Sequence, residues 1–88
     1  MAISKTIKNS NEYYGYLIDA PLDISVEVIQ VQSGFRAAQR LSELGILPGT
    51  TIKKISQAPF RGPIQIQVRG TRLALGQGIA QKIVVKNC

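Results

Sequence analysis

The feature that most constrains the fold is a series of short segments in which apolar and polar residues alternate, separated by glycines and prolines. Residues 64–69 alternate without interruption, with isoleucine or valine at every second position and glutamine or arginine between. Such alternation is typical of a strand that buries one face. Further strands are predicted at residues 25–32, 51–56, 72–75 and 82–85. Five strands this short predict a small β-barrel, closed or nearly closed.

Two of these strands depart from strict alternation. Within residues 25–32, the apolar positions change face between Val28 and Ile29. This change predicts a bulge or a strong local twist. Within residues 51–56, Lys54 falls on the face otherwise occupied by apolar side chains.

One segment, residues 33–46, has helical periodicity. Ser33 is a candidate N-cap. Gly45 stands where a left-handed C-cap residue is needed, and Ile46 can close back on Leu41. The apolar side of this helix is formed by Ala37, Ala38, Leu41 and Leu44.

Glycines and a proline mark the structural turns. Residues 47–50 predict a type II turn with Pro48 and Gly49 in its two central positions. Gly70 predicts a tight hairpin between two strands. We assign these residues and Gly45 mainly to backbone geometry, because glycine and proline are explained by turn conformation alone.

The chain has 88 residues, which is enough for one domain. We predict an all-β fold with one short helix over residues 24–88, preceded by a partly mobile N-terminal arm at residues 1–23. Three tyrosines at positions 13, 14 and 16 either add a strand to the barrel or stack on nucleic-acid bases, and packing is the preferred interpretation. The chain has no apolar run long enough to span a bilayer and no secretory signal, so a cytoplasmic location is expected.

Residue usage argues against catalysis and against a metal site. The sequence contains no histidine, and its single cysteine is the last residue, Cys88. The five acidic residues are scattered, without ligand or acid–base spacing. We therefore predict no catalytic residues, no metal ligands and no cofactor.

The distribution of charge is uneven. The net charge is +6, and no acidic residue follows Glu43. A basic surface favours an anionic partner: an acidic protein, a phosphate-rich ligand, nucleic acid or an anionic membrane leaflet. The same charges are also explained by the solvated outer positions of strands.

The candidate partner-binding residues lie on loops. Phe60 either plugs the end of the barrel or anchors a partner, and Ile46 with Leu47 forms an exposed apolar pair. We expect the Phe60 loop and the Leu47 turn to contribute to one patch. The full set of candidates is Leu47, Phe60, Arg61, Arg69 and Arg72.

Four blocks of sequence together resemble the FeoA family. The blocks are residues 40–50, 58–59, 62–64 and 68–75, and the resemblance covers about residues 24–85. It implies an SH3-like barrel. It also implies a non-enzymatic accessory protein of ferrous-iron uptake that binds and modulates the cytoplasmic part of a permease with a GTPase domain.

The sequence also departs from the pattern that the resemblance implies. Relatives often carry carboxylates in the loop before Pro63 and on the strand that follows, where this chain has Arg61-Gly62 and then Gln65 and Gln67. These differences argue against carrying over direct metal binding. The alternative function is a small basic barrel that binds nucleic acid, and a salt-dependent gel shift distinguishes the two.

Overall fold

The computed structural model describes residues 13–88, which form a single antiparallel sheet of six strands with two short helices. The strands run in the order β1-β6-β2-β3-β4-β5. The sheet is not closed, because β1 and β5 are its two edges. The strands are β1 (Tyr14–Tyr16), β2 (Ser25–Val31), β3 (Thr51–Gln57), β4 (Ile64–Val68), β5 (Thr71–Leu75) and β6 (Ile83–Asn87); the helices are α1 (Phe35–Glu43) and α2 (Gln77–Ala80).

The inner face of the sheet carries one hydrophobic core, to which every strand from β2 to β6 contributes. Burial alternates along β4 as predicted, with its three apolar side chains buried. The all-β class with one principal helix is confirmed. The largest fully buried side chains are Leu17, Ile46, Ile52, Ile64, Ile66, Ile83, Val26, Val28 and Val85.

The predicted irregularity in β2 is a bulge. Val28 pairs with Val85 and Gln30 pairs with Val84, so Ile29 is the additional residue. A second bulge lies in β3, between Lys54 and Ser56. Both bulges bend strands that must curve around a small core.

The N-terminal arm takes part in the sheet, as the packing interpretation predicted. Tyr14 to Tyr16 pair with β6, the last strand of the chain. A 3₁₀ turn at Leu17–Asp19 follows, and it places the Leu17 side chain in the core with no exposed surface. The domain boundary at residue 24 stays a prediction, and the mobile tail predicted at residues 1–12 lies outside the described residues.

Helix α1 begins one residue later than the cap prediction requires. Gly34 is its N-cap, and the predicted cap Ser33 is wrong. Ser33 precedes the cap position, and the N-terminus of α1 has no side-chain cap hydrogen bond. Its Oγ atom is buried without a hydrogen-bond partner among the described residues.

The C-terminus of α1 has the predicted geometry. Gly45 has φ +90°, its amide donates to the Ser42 carbonyl at 3.0 Å, and the Ile46 amide donates to the Leu41 carbonyl at 2.9 Å. These two bonds define a Schellman motif. Leu41 and Ile46 are both buried, so the motif also fixes the helix to the core.

Lys54 is a buried lysine that holds two parts of the fold together. Its side chain is 3 % exposed, and Nζ donates to the carbonyls of Ile18 at 2.7 Å and Ala20 at 3.0 Å. Burial lowers the pKa of this ammonium group from its usual value, and the Asp19 carboxylate acts in the opposite direction. The lysine that interrupts the alternation of β3 thus attaches the 3₁₀ turn to the sheet.

Candidate partner-binding surfaces

The Phe60 tip, residues 59–62, is the turn that joins β3 to β4. The Gly62 amide donates to the Pro59 carbonyl at 3.0 Å, and Phe60 and Arg61 have φ values of 55° and 63°. Two central residues with positive φ are the signature of a type I′ turn, which glycine, asparagine and aspartate normally occupy. For other residues this conformation costs roughly 1–2 kcal/mol each. The tip therefore holds two large side chains in a strained conformation.

The neighbouring residues fix this conformation of the tip. A Cβ atom at Gly62 would lie 2.5 Å from the Cβ of Ala58, so only glycine fits there. The Gln77 side chain of α2 donates to the Gly62 carbonyl at 3.2 Å. Strain that the surrounding structure maintains is concentrated at functional sites in proteins.

Phe60 points into solvent. Its side chain is 98 % exposed, so the alternative that it plugs the end of the barrel is wrong. A plug requires the ring to turn toward the core, and the ring is instead almost fully exposed on the turn. The role of Phe60 and Arg61 as partner anchors stays a prediction.

The Leu47 turn, residues 47–50, has the predicted geometry. The Thr50 amide donates to the Leu47 carbonyl at 2.9 Å, and Gly49 has φ +95°. The Gly49 amide donates to the Val28 carbonyl at 2.7 Å, which attaches the turn to β2. Pro48 is exposed in this turn.

Only half of the predicted apolar pair at this turn is exposed. The Leu47 side chain is 43 % exposed, but Ile46 is 1 % exposed. The Schellman motif directs Ile46 onto Leu41, which removes it from the surface. Leu47 alone remains a candidate contact.

The Arg69 hairpin, residues 68–71, joins β4 to β5 by two residues, Arg69 and Gly70. Their φ values are 53° and 82°, which again fits a type I′ turn and confirms the predicted hairpin. Arg69 and Arg72 are both exposed.

The predicted site residues fall into two groups. The Leu47 turn directly precedes β3, whereas the Phe60 tip directly follows it. Seven residues of strand, roughly 20 Å, separate the two. The Arg69 hairpin lies at the same end as the Leu47 turn, where Gly45 approaches Val68. The structure thus places the candidates on two separate surfaces, not on the single patch expected.

A groove of about 760 Å³ between α1 and the end of β5 was not predicted. It depends on the placement of the helix beside an edge strand, which no local pattern indicates. The one indication in the sequence was the small apolar face of α1. Ala37 lies beside Leu41 on that face, and its short side chain leaves space for a groove. We refer to this feature as the β5 groove.

Among residues 13–88, no group of three or more histidine, cysteine or acidic side chains lies close enough to hold an ion. Cys88 is a free, exposed thiol whose nearest polar contact is the Thr51 hydroxyl at 3.8 Å. The absence of a metal site stays a prediction. In the part of the chain that is described, no helix has the length and apolarity needed to cross a bilayer.

The open antiparallel sheet, with exposed side chains on its turns, defines a small β domain. A family model described as the FeoA domain matches residues 16–87. A protein of Methanocaldococcus jannaschii, provisionally named Fe(2+) transport protein A, is 37 % identical over 62 residues, which are 70 % of this chain and 73 % of the relative. The chain belongs to the FeoA family.

Solved structures agree with this assignment. The structure of an iron uptake regulatory protein, FeoA, is similar with a TM-score of 0.75 and 30 % identity, covering 86 % of this chain and 99 % of the other. FeoA of Stenotrophomonas maltophilia in complex with zinc, described as a prokaryotic SH3 domain protein, has a TM-score of 0.68 and 34 % identity over 80 % of this chain and 87 % of its own. The fold is therefore SH3-like, and the family is one of ferrous iron transport.

Proposed function

We propose that this protein is a non-enzymatic accessory protein of ferrous-iron uptake, and that it binds and modulates the cytoplasmic part of an iron permease with a GTPase domain. Membership of the FeoA family supports the role in iron transport. The S. maltophilia relative is described as a possible activating factor of ferrous iron transport. The observation that carries the binding role is the Phe60 side chain, 98 % exposed on a strained turn.

The Phe60 tip has the physical properties of an interface anchor. Burial of a phenylalanine side chain against a partner contributes roughly 1.5–3 kcal/mol. The turn fixes the backbone of Phe60, so little backbone entropy remains to be lost on binding. Arg61 adds a positive charge beside the anchor, on a protein of net charge +6. Such charges accelerate association with an acidic surface.

We expect the two residues of the tip to affect binding kinetics differently. Phe60→Ala should weaken binding to the soluble cytoplasmic domain of the permease by about 1–3 kcal/mol, mainly through faster dissociation. Arg61→Ala should slow association and flatten its dependence on salt. Surface plasmon resonance at two salt concentrations measures both effects.

Exposed residues away from the tip provide matched controls. Leu22 is 48 % exposed and lies in the turn before β2, so Leu22→Ala should leave dissociation unchanged. Lys82→Ala removes one exposed charge and serves as the control for Arg61. Wild-type kinetics for both folded tip variants would remove the Phe60 tip from the interface.

Nucleic-acid binding is the second candidate, and one observation favours it. Tyr14 is 71 % exposed and pairs with Lys86, which places an aromatic ring beside a basic side chain. Glu27 pairs with Lys86 from the other side, however, and its carboxylate opposes a phosphate backbone. A gel shift with single-stranded RNA and DNA at low salt tests this candidate. A shift that Tyr14→Ala abolishes would favour it over the permease.

A further inference from the structure

Strand β5 presents an unpaired backbone edge. Among residues 13–88 it is the last strand in the sheet order, and its one partner there is β4. Val68 and Thr71 close the two-residue hairpin and form a hydrogen-bonded pair. The other hydrogen-bonded residues of β5 are therefore every second one from Thr71, namely Leu73 and Leu75, which pair with β4. In an antiparallel ladder the alternate residues direct their N–H and C=O groups away from the partner strand. These residues are Arg72 and Ala74.

The β5 edge lacks two of the devices that proteins use to block strand addition, a bulge and a proline. Edge strands are commonly interrupted by a bulge or a proline. The register of β5 on β4 is continuous over all five residues, and the strand contains no proline. Its one charged side chain is Arg72. The edge is therefore open to a further strand.

The β5 groove adjoins the end of this edge and is lined in part by apolar side chains. Ala74 and Leu75 of the edge line one side, and Leu41 and Leu44 of α1 line the other. Leu44 is 44 % exposed although it belongs to the apolar face of the helix. The groove thus offers apolar contacts directly beside free backbone donors and acceptors.

We propose that the β5 edge and the β5 groove bind an extended, acidic segment of a partner protein, which adds a seventh strand to the sheet. Backbone hydrogen bonds to Ala74 would supply affinity, and alternate apolar side chains of the segment would enter the groove. This inference rests on the proposed function only in taking the partner to be a protein.

The charges around the groove select an acidic occupant. Arg36 and Arg40 of α1 line it, Arg72 stands on the edge strand, and Glu43 is the one acidic residue in the lining. A second copy of the chain paired through β5 would bring Arg72 near its own counterpart. The chain's own residues 1–12 carry Lys5 and Lys8 against Glu12. Neither alternative matches the charge of the groove as well as an acidic segment.

The test uses a fluorescein-labelled peptide of ten residues in which valine and glutamate alternate. Fluorescence anisotropy should show saturable binding to the full chain. Ala74→Pro removes the outward amide and should weaken binding at least tenfold, while an edge strand tolerates proline where its N–H faces solvent. Ala74→Ser keeps the amide and should bind within about twofold of wild type. Arg40→Gln should weaken binding severalfold and reduce its dependence on salt.

A second form of the peptide keeps the proposal testable if Ala74→Pro disturbs folding. The same sequence N-methylated at every amide has no backbone N–H donor on either edge and should not bind. Equal binding of the methylated peptide, or of a valine–lysine peptide, would overturn the proposal, as would the absence of binding by wild type. Phe60→Ala should leave peptide binding unchanged, so this result is separable from the outcome of the permease experiment.

Discussion

Replacement of Leu41 by aspartate is expected to unfold the domain. The Leu41 side chain lies in the core and is 3 % exposed. Its carbonyl accepts the hydrogen bond from the Ile46 amide that closes the Schellman motif. The loss of its apolar contacts removes roughly 1.5–3 kcal/mol, and an unpaired carboxylate in the core costs several more. A domain of this size has a total stability of about 5–10 kcal/mol. Circular dichroism should show loss of structure at 25 °C.

Leu44→Asp is the matched control for this variant. Leu44 is the C-cap residue of the same helix, three residues further along the chain, and is 44 % exposed. Both substitutions place a negative charge near the C-terminus of α1, which is equally unfavourable for the helix dipole. Leu44→Asp should therefore fold, with a small decrease in melting temperature. Wild-type melting of Leu41→Asp would show that α1 does not dock on the core as described.

The second large effect is expected at Lys54. In Lys54→Met the side-chain stem remains, but the carbonyls of Ile18 and Ala20 lose their donor. Unsatisfied buried acceptors cost about 1–3 kcal/mol each, so we expect the free energy of unfolding to fall by about 2–4 kcal/mol. The 3₁₀ turn should open first. Urea unfolding together with amide exchange at residues 17–20 measures both effects.

Lys53→Met is the control, because Lys53 is the adjacent residue on the opposite face of β3 and is only half-buried. It should change stability by less than about 0.5 kcal/mol. Equal destabilisation by the two variants would contradict the attachment described for Lys54.

The lowered pKa of Lys54 also determines the direction in which the free energy of unfolding changes with pH. Between its lowered pKa and the ordinary value of 10.5, the unfolded chain binds more protons than the folded protein. Stability from this group therefore rises as the pH increases through that interval. A neutral amine still has two N–H donors for the two carbonyls. The rise from this group should be present in the stability curve of wild type and absent from that of Lys54→Met, so the difference between the two curves should contain it.

The features that the sequence predicted correctly are those set by local rules. The Schellman motif at Gly45, the type II turn at Pro48-Gly49 and the hairpin at Gly70 each depend on four to six consecutive residues. The bulge at Ile29 follows from a change of face within one strand. Steric limits on φ and the two-residue repeat of a strand determine all of them.

The features that could not be predicted depend on contacts distant in sequence. Lys54 was recognised as an interruption, but its partners lie 34 and 36 residues away. The pairing of β1 with β6 joins the two ends of the described chain. The separation of Leu47 from Phe60 by the length of β3, and the β5 groove, likewise follow from topology. No window of sequence contains that information.

The Phe60 tip connects stability with binding. Phe60 and Arg61 occupy positions where asparagine and glycine would relieve backbone strain. A strained turn that exposes an aromatic ring makes the protein less stable than an unstrained turn of the same shape would. We propose that this loss of stability is retained because the ring contributes to binding the permease.

The most direct measurement of that account combines thermal unfolding with surface plasmon resonance for the double variant Phe60→Asn/Arg61→Gly. Strain of roughly 1–2 kcal/mol at each residue is relieved, and the backbone entropy lost by glycine offsets part of the gain, so the fold should be stabilised by about 1–2 kcal/mol. This raises the melting temperature by roughly 4–8 °C per kcal/mol. Affinity for the cytoplasmic domain of the permease should fall at least tenfold. A variant that is more stable and binds the permease as tightly as wild type would contradict the account.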